Sequence, residues 1–315
     1  MNRLYSVAEI RAIEHAAAAV LPDGALMQRA GQSGANAALD MLPFSTNHAR
    51  VLVLAVPGNN GGDALEAAAH LAYAGANVTV LHYPPIGEPS AERQTALQRA
   101  RVSDVSFADV TDTDTDNYTE AGGAGALVAG ADWNLVVDGL FGIGLKRPLD
   151  GAMRALVEAV NLLKCQVLAL DVPSGLDADT GAIVGPDGVA VRATHTITFI
   201  GDKPGLHTCE GRDHAGLVDV SRLDIDAALF PPASMHVNDV KLFSRHLRPR
   251  QHSSHKGSYG NVAVVGGARG MAGAPLLAAR AALHGGAGRV YALFVDEPLP
   301  CDPGQPEVML SLIHI

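Results

Sequence analysis

The chain has few of the residues that stabilise small secreted proteins. Its 3 cysteines among 315 residues, Cys165, Cys209 and Cys301, are scattered and odd in number. They indicate neither a disulfide framework nor a thiolate metal site. Aromatic residues make up only 4% of the chain, so its core must be built mainly from Ala, Val and Leu.

Long apolar runs are also lacking. No run approaches the roughly 20 apolar residues that a membrane-spanning helix needs, and the first residues lack the charged and apolar parts of a signal peptide. We therefore expect a cytoplasmic protein.

Positive charge is in the minority. There are 23 Lys and Arg against 33 Asp and Glu, a formal net charge of −10. This balance argues against nucleic acid and anionic membrane as partners. It leaves a nucleotide ligand open, because helix N-termini bind phosphate without a basic surface.

What the chain does have is an alternation of apolar strands and helices, which predicts an α/β fold with a parallel sheet. An apolar content of 48% is ample for a core. Helices are expected at 6–20, 24–41, 62–75, 90–101 and 149–163, and strands at 50–56, 77–82, 133–138, 166–171, 194–200 and 216–220. A segment at 230–234 resembles a linker, after which 261–265, 274–284 and 289–295 predict one more β-α-β unit.

The first predicted strand runs into a glycine-rich turn, with the sequence VPGNNGGD at residues 56–63. A glycine turn from a strand to a helix lets the backbone approach a ligand, and the free N–H groups of the first helical turn favour a phosphate. The alternative is a tight turn in which Asp63 only caps the helix.

Two later strands also end in polar and glycine residues. The strand at 133–138 ends in Asp138 and continues as GLFGIGLKRP, and the strand at 166–171 ends in Asp171 and continues as VPSGLD. Ligands of open α/β sheets bind outside the carboxyl ends of the strands. The three strand ends are therefore predicted to meet at one pocket.

In this order the motifs GNNGGD, DGLFGIGLKRP and DVPSGLD resemble the YjeF N-terminal family, the NAD(P)H-hydrate epimerases. The resemblance covers roughly residues 4–220 and implies a Rossmann-like three-layer αβα sandwich. Residues 255–267 and 270–274 resemble a second family, the ribokinase-like ADP/ATP-dependent NAD(P)H-hydrate dehydratases. We therefore expect an epimerase domain at 1–230 and, at 231–315, a linker and an N-terminal dehydratase fragment. The dehydratase activity, which uses ADP or ATP, is expected to be absent.

The first resemblance implies that the chain interconverts the R and S epimers of NADH or NADPH hydrated at C6 of the nicotinamide ring. Asp171 is the predicted proton-transfer residue; its alternative role is to cap the next turn through Ser174 or Gly175. The resemblance and the glycine loops together give these substrate-binding residues: Asn59, Asn60, Gly61, Gly62, Asp63, Gly142, Ile143, Gly144, Leu145, Lys146, Arg147, Pro148 and Asp171.

The same resemblance implies one potassium ion, held by Asn60, Asp138 and Ser174. The alternative is a hydrogen-bond network among the three strand ends. The resemblance also allows a homodimer. One departure from the family pattern is Ala64, where a glycine is usual; a positive φ at that position would strain the helix entry.

Two other functions compete with the epimerase. The same fold occurs in dimerising scaffold modules, so a non-catalytic nucleotide-binding or scaffold module is the main alternative. An oxidoreductase that binds dinucleotides should have an acidic residue for the ribose about 20 residues beyond the glycine turn. Residues 80–85 contain none.

Overall fold

The computed structural model describes residues 3–42, 45–83, 87–109, 124–247, 249–297 and 300–313. Within these ranges the chain divides into two compact units, Met1–Asp239 and Val240–Ile315. The predicted boundary lay at 230/231, and the assignment of an activity to each part stays a prediction.

The first unit contains a parallel sheet of seven strands in the order β4-β3-β2-β5-β6-β7-β8. Its strands are β2 (Arg50–Ala55), β3 (Asn77–His82), β4 (Val105–Asp109), β5 (Leu135–Gly139), β6 (Gln166–Leu170), β7 (His195–Phe199) and β8 (Leu217–Ser221). Two short strands, β1 (Arg3–Leu4) and β9 (Met235–His236), pair antiparallel outside this sheet.

The helices of this unit are α1 (Val7–Ala18), α2 (Ala25–Met41), α3 (Asn59–Tyr73), α4 (Ala91–Val102), α5 (Ala124–Ala129), α6 (Gly151–Asn161) and α7 (Gly211–His214). Successive residues of a strand face opposite sides of a sheet. In β2, Val51 and Val53 pack with α1 to α4, while Leu52 and Leu54 pack with α5 and α6. Both faces are therefore covered, and the predicted three-layer α/β sandwich is confirmed.

The order of the strands reverses between β2 and β5, which are neighbours in the sheet although β3 and β4 lie between them in sequence. From this point β3 and β4 extend the sheet toward one edge, and β6, β7 and β8 extend it toward the other. The crevice outside the carboxyl ends of such strands is where open α/β sheets bind ligands.

The sequence located most of these elements but missed some. The strand at Val105–Asp109 and the helix at Ala124–Ala129 were not predicted. Helix α3 begins at Asn59, three residues before the predicted start, because Gly58, with φ of 126°, makes the turn by itself. The two asparagines and two glycines therefore form its first turn.

The second unit has a parallel sheet in the order β10-β11-β12. Its elements are the helices α8 (Val240–Phe243) and α9 (Gly273–His284) and the strands β10 (Asn261–Val265), β11 (Arg289–Phe294) and β12 (Met309–Leu312). The expected β-α-β unit is present, and β12 is an additional strand that pairs with β11. In the described part of the chain, no helix combines the length and the apolarity needed to span a bilayer.

Candidate active site

A cavity of about 460 Å³ lies at the reversal point, outside the carboxyl ends of the strands. Its walls come from α1, the start of α2, the β2–α3 turn, the loop after β5 and the residues that follow β6 and β7. A cavity of this size is in the range of small-molecule sites. The structure thus brings the three predicted strand ends to one cavity.

The β2–α3 turn forms one wall of this cavity. Asn59, Asn60 and Asp63 line it, whereas Gly61 and Gly62 are buried behind it. A Cβ on Gly61 would lie 1.8 Å from the carbonyl oxygen of Val56, so only glycine fits this close approach. The N–H groups of the first turn of α3 are available to a ligand, because an α-helix leaves its first donors without a partner.

The residues around this turn answer two of the sequence-based alternatives. Asp63 is not the N-cap, since Gly58 holds that position and Asp63 is the fifth residue of α3. Ala64 does not strain the helix entry, because it is not among the non-glycine residues with positive φ. Its methyl group is buried against Gly139, where a second Cβ would come within 2.3 Å.

The carboxylate of Asp171 is held by contacts from three segments. Its Oδ1 atom accepts hydrogen bonds from Nζ of Lys203 at 2.5 Å and from the backbone N–H of Phe199 at 3.5 Å. Its Oδ2 atom accepts from the backbone N–H of Ile143 at 3.3 Å. The backbone of Asp171 is left-handed, with φ of 67°. These donors do not include Ser174 or Gly175, so the alternative role as a cap of the next turn does not describe this carboxylate.

Lys203 is the residue that the sequence analysis missed. Its side chain is fully buried, and its ammonium group donates to Asp171, to Oγ1 of Thr198 at 2.7 Å and to the carbonyl of Phe199 at 2.8 Å. All three of its N–H donors are therefore used. The sequence did contain a signal for Lys203. Lys203 follows β7, the neighbour of β6 in the sheet, and the rule that ligands bind outside the carboxyl ends of strands applies to β7 as well.

Asp138 and Ser174 form a buried network. Oδ1 of Asp138 accepts from Oγ of Ser174 at 2.7 Å and from the N–H of Leu140 at 3.2 Å, and Oδ2 accepts from the N–H of Ser174 at 2.9 Å. Burial raises the pKa of Asp138 to about 6, although these hydrogen bonds lower it. Asn60 is outside the network: both its Oδ1 and its Nδ2 are buried, and neither has a hydrogen-bond partner among the residues that the structure describes.

Gly142 lies between Asn60 and Asp171. A Cβ there would lie 2.8 Å from Oδ2 of Asp171 and 3.5 Å from Cγ of Asn60. The two side chains therefore face the same small volume. Gly142 to Leu145 line the cavity, but Lys146, Arg147 and Pro148 are exposed and are not among its lining residues.

Acidic groups dominate the cavity wall, which includes Glu14, Asp23, Asp63, Glu92 and Asp171. Among the described lining residues Arg11 is the only basic one. Loss of solvation, and then repulsion from Asp171, raise the pKa of Glu14. The same two causes raise the pKa of Asp63 well above its ordinary value. The cavity thus combines paired and unpaired carboxyl groups.

The chain is therefore an α/β protein whose candidate small-molecule site lies in the crevice of a doubly wound parallel sheet, at the ends of the strands. The model of the family described as "YjeF-related protein N-terminus" matches residues 23–205. The chain belongs to this family, as the sequence motifs predicted.

Two relatives show how far the similarity extends. The bifunctional NAD(P)H-hydrate repair enzyme Nnr of Thermofilum pendens is 35% identical over 284 residues, which are 90% of this chain and 51% of the relative. The enzyme of the same name from Escherichia coli is 33% identical, over 90% of this chain and 52% of the relative. The chain therefore spans about half the length of these relatives.

A solved structure shows the same fold. The crystal structure of yeast ynu0, YNL200c, matches with a TM-score of 0.61 and 22% identity, over 75% of this chain and 97% of the yeast chain. At this identity the likeness supports the fold and nothing further.

Proposed function

We propose that the first unit epimerises hydrated NAD(P)H, interconverting the R and S configurations at C6 of the nicotinamide ring. The two relatives named above are NAD(P)H-hydrate repair enzymes by name, which supports a substrate of this class. We further propose that the protein acts in the cytoplasm as part of nicotinamide cofactor repair.

The observation that carries this proposal is the position of Asp171. Its carboxylate lies on the cavity wall, 13% exposed, and its Oδ1 atom is occupied by the buried ammonium group of Lys203. Its Oδ2 atom is directed toward Gly142 in the cavity loop. A carboxylate held on one side and open on the other suits proton transfer to a bound ligand.

The same cavity offers donors for the diphosphate of such a substrate. The free N–H groups of the first turn of α3, at Asn59 and Asn60, point along a helix axis whose N-terminus attracts anions. Arg11, which also lines the cavity, provides a positive charge. In this proposal Gly142, Ile143, Gly144 and Leu145 contact the substrate, and Lys146, Arg147 and Pro148 act only at the rim of the site.

We also propose that Asn60, Asp138 and Ser174 hold one potassium ion. The fit rests on the Asn60 amide oxygen, a buried acceptor that no donor of the described part of the chain reaches. Oxygen ligands of this kind suit a hard cation. When bound, the ion would add positive charge beside the diphosphate. The chain's own residues fix its place: Ser174 positions the Asp138 carboxylate, and α3 presents Asn60.

An assay with pure R-hydrate tests the proposal. The purified chain is mixed with an S-specific dehydratase and its nucleotide, and the recovery of NADH is followed by absorbance. We expect recovery to depend on the chain. If the hydrate binds but NADH returns no faster than by spontaneous epimerisation, the chain is a nucleotide-binding module. The position of Asp171 does not favour this alternative.

The variant Asp171→Asn tests the residue that carries the proposal. We expect it to fold and to epimerise at least about 100-fold more slowly, the scale of acid–base assistance. Circular dichroism checks the fold, and the coupled assay checks the rate. Turnover like that of the wild type in a folded variant would remove Asp171 from the mechanism.

A further inference from the structure

Asp63 is a second carboxyl group of the cavity that differs from Asp171 in its surroundings. It lies one turn after Asn60 on the same face of α3 and lines the cavity half-buried. No hydrogen bond or ion pair within the described residues involves its side chain. It does not cap the helix, so its local structure does not account for a carboxyl group at this position.

The charged groups around Asp63 come from every neighbouring element. Asp171 follows β6, Glu14 is on α1, Glu66 is on α3 itself and Glu92 is on α4, and each of them raises the pKa of Asp63 by repulsion in addition to the larger effect of burial. Arg11 and Lys203, the positive charges nearby, act on Glu14. Burial and this repulsion together favour the protonated form of Asp63.

Asp171 has the opposite environment. It accepts hydrogen bonds from an ammonium group and from two backbone N–H groups, whereas Asp63 accepts none within the described residues. Two carboxyl groups in one cavity with such different surroundings are typical of an acid and a base that act together. The position of Gly142 against both Asn60 and Asp171 shows that this face of α3 and Asp171 meet at one volume.

We propose that Asp63 is the catalytic acid of this site and that Asp171 is its partner base, in an epimerisation that proceeds by loss and re-addition of water at C6. This inference rests on the proposed function and adds the second proton-transfer group and the route of the reaction.

The step balances without any oxidant or reductant. The proton of Asp63 moves to the C6 hydroxyl group as the C6–O bond breaks, and the lone pair of the ring nitrogen N1 forms a double bond to C6. One water leaves and a ring cation remains. A second water then adds to the other face of C6 and gives a proton to Asp171, and the N1=C6 double bond returns to a lone pair. Exchange of protons with solvent then returns Asp63 to its protonated form and Asp171 to its carboxylate, so that the next turnover can begin.

The acidic wall favours this route over opening of the ring. Breaking the N1–C6 bond would place electrons on N1, and the carboxyl groups at Glu14, Asp23 and Glu92 would disfavour that negative charge. Loss of water instead creates a cation on N1 and C6, which nearby carboxylates stabilise in a poorly solvated site. The negative charge of the cavity wall is therefore consistent with loss of water at C6 and not with opening of the ring.

Epimerisation of R-hydrate in water labelled with ¹⁸O tests the route with the wild-type chain. We expect each S-hydrate formed to carry one solvent oxygen at C6, seen as a mass increase above that of a sample without enzyme. Epimerisation with retention of the original oxygen would overturn the water-loss route and leave the proposed function standing. Absence of any epimerisation would instead contradict the proposed function itself.

The variant Asp63→Asn tests the residue. We expect a rate at least about 100-fold lower, with hydrate affinity within a few-fold of the wild type and a melting temperature that is unchanged or higher. A residue with only a structural role would lower the melting temperature instead. A rate like that of the wild type would overturn the assignment.

Glu14→Gln provides the comparison, because Glu14 is another carboxyl group of the same wall whose pKa is raised by burial and by Asp171. We expect its rate to fall by less than about tenfold, through weaker stabilisation of the cation. A large loss in Glu14→Gln together with a small loss in Asp63→Asn would assign the acid to Glu14 and overturn our inference.

Discussion

At the scale of single residues, the site depends on a buried ion pair whose partners come from different parts of the chain. Lys203 is fully buried, and removal of one partner of such a pair costs about 3–5 kcal/mol. Substitution of Lys203 itself would therefore confuse stability with activity, whereas Asp171→Asn keeps a side-chain oxygen that can accept from the Lys203 ammonium group. Thr198, which accepts from the Lys203 ammonium group, allows a milder test.

We expect Thr198→Val to lower kcat several-fold, because Lys203 loses one of three acceptors and its hold on Asp171 loosens. The matched control is Thr196→Val. Thr196 lies two residues earlier on the same face of β7 and is equally buried, but its hydroxyl donates to the carbonyl of Ala215. Both variants should lose about 1–3 kcal/mol of unfolding free energy. Equal kcat values in the two variants would show that Lys203 does not position Asp171.

The raised pKa of Asp138 predicts a dependence of stability on pH. Because the folded-state pKa is about 6, above the usual value of 3.8, the folded state holds its proton more tightly than the unfolded state. The resulting stability is complete below the unfolded pKa and is lost as pH rises through the folded pKa. Over about two pH units this corresponds to about 3 kcal/mol.

We therefore expect the unfolding free energy of the wild type, relative to Asp138→Asn, to fall by about 3 kcal/mol between about pH 4 and about pH 7 in potassium-free buffer. Urea titrations at several pH values measure it. Added potassium at neutral pH should recover part of the loss in the wild type and none in the variant. A difference between the two proteins that does not change with pH would contradict the burial argument.

The residues of the site could be predicted to the extent that they follow a strand or a glycine turn. The residues predicted in this way are Asn60, Asp63, Asp138, Asp171 and Ser174. In the structure Asn60, Asp63 and Asp171 line the cavity, and Asp138 and Ser174 are hydrogen-bonded to each other in the protein interior. Lys203 was missed because it becomes relevant only once β7 is known to lie beside β6. Within the described ranges Asp63 has no hydrogen-bond or ion-pair partner, and this too results from packing, which no local motif encodes.

At the scale of elements, the loop after β5 lines the cavity and contacts Asp171. The N–H of Ile143 donates to Oδ2 of Asp171, and the N–H of Phe141 donates to Oγ of Ser174 at 2.8 Å. The loop is therefore hydrogen-bonded both to the Asp171 carboxylate and to the buried Asp138–Ser174 network.

The loop contains two glycines that provide a matched pair of variants. A Cβ on Gly142 would lie 2.8 Å from Oδ2 of Asp171, whereas a Cβ on Gly144 would meet nothing within 4 Å. Because a displacement of about 1 Å in a site can cost about 100-fold in rate, we expect Gly142→Ala to lower kcat at least about tenfold. Gly144→Ala should keep kcat within about twofold of the wild-type value and should change mainly KM. Steady-state kinetics of both variants measure this, and equal kcat values would contradict it.

Elements with strong apolar periodicity were predicted within a few residues, and β3 and β10 were predicted with their observed bounds. The strand β4, with the sequence VSFAD, is short and polar at its end, so its pattern resembles a loop until β3 provides a neighbour for pairing. The start of α3 was placed too late because glycine disfavours helix interiors, although in the first turn a close approach to Val56 requires it.

At the scale of the whole molecule, all residues that line the cavity lie between Ile10 and Leu223, inside the unit Met1–Asp239. Apolar residues from both faces of the sheet form the core of this unit. The sequence motifs indicated the same region, whereas the division of the chain after Asp239 depends on contacts that form only in the fold.

We therefore expect a chain that ends at Asp239 to keep the epimerisation rate of the full chain within a few-fold. The coupled assay on both chains measures it, and the same shortened chain with Asp171→Asn is the control for a contaminating activity. Complete loss of activity in a shortened chain that is folded by circular dichroism would show that the second unit contributes to the reaction.

The left-handed backbone of Asp171 has a practical consequence for complexes. Asparagine adopts this conformation more readily than most residues and has nearly the shape of aspartate, so it should keep the cavity intact while it removes the proton acceptor. Such a protein would be a substrate trap. Crystals grown from Asp171→Asn with a mixture of both epimers should retain the one that the site prefers, because the two epimers interconvert slowly in this variant.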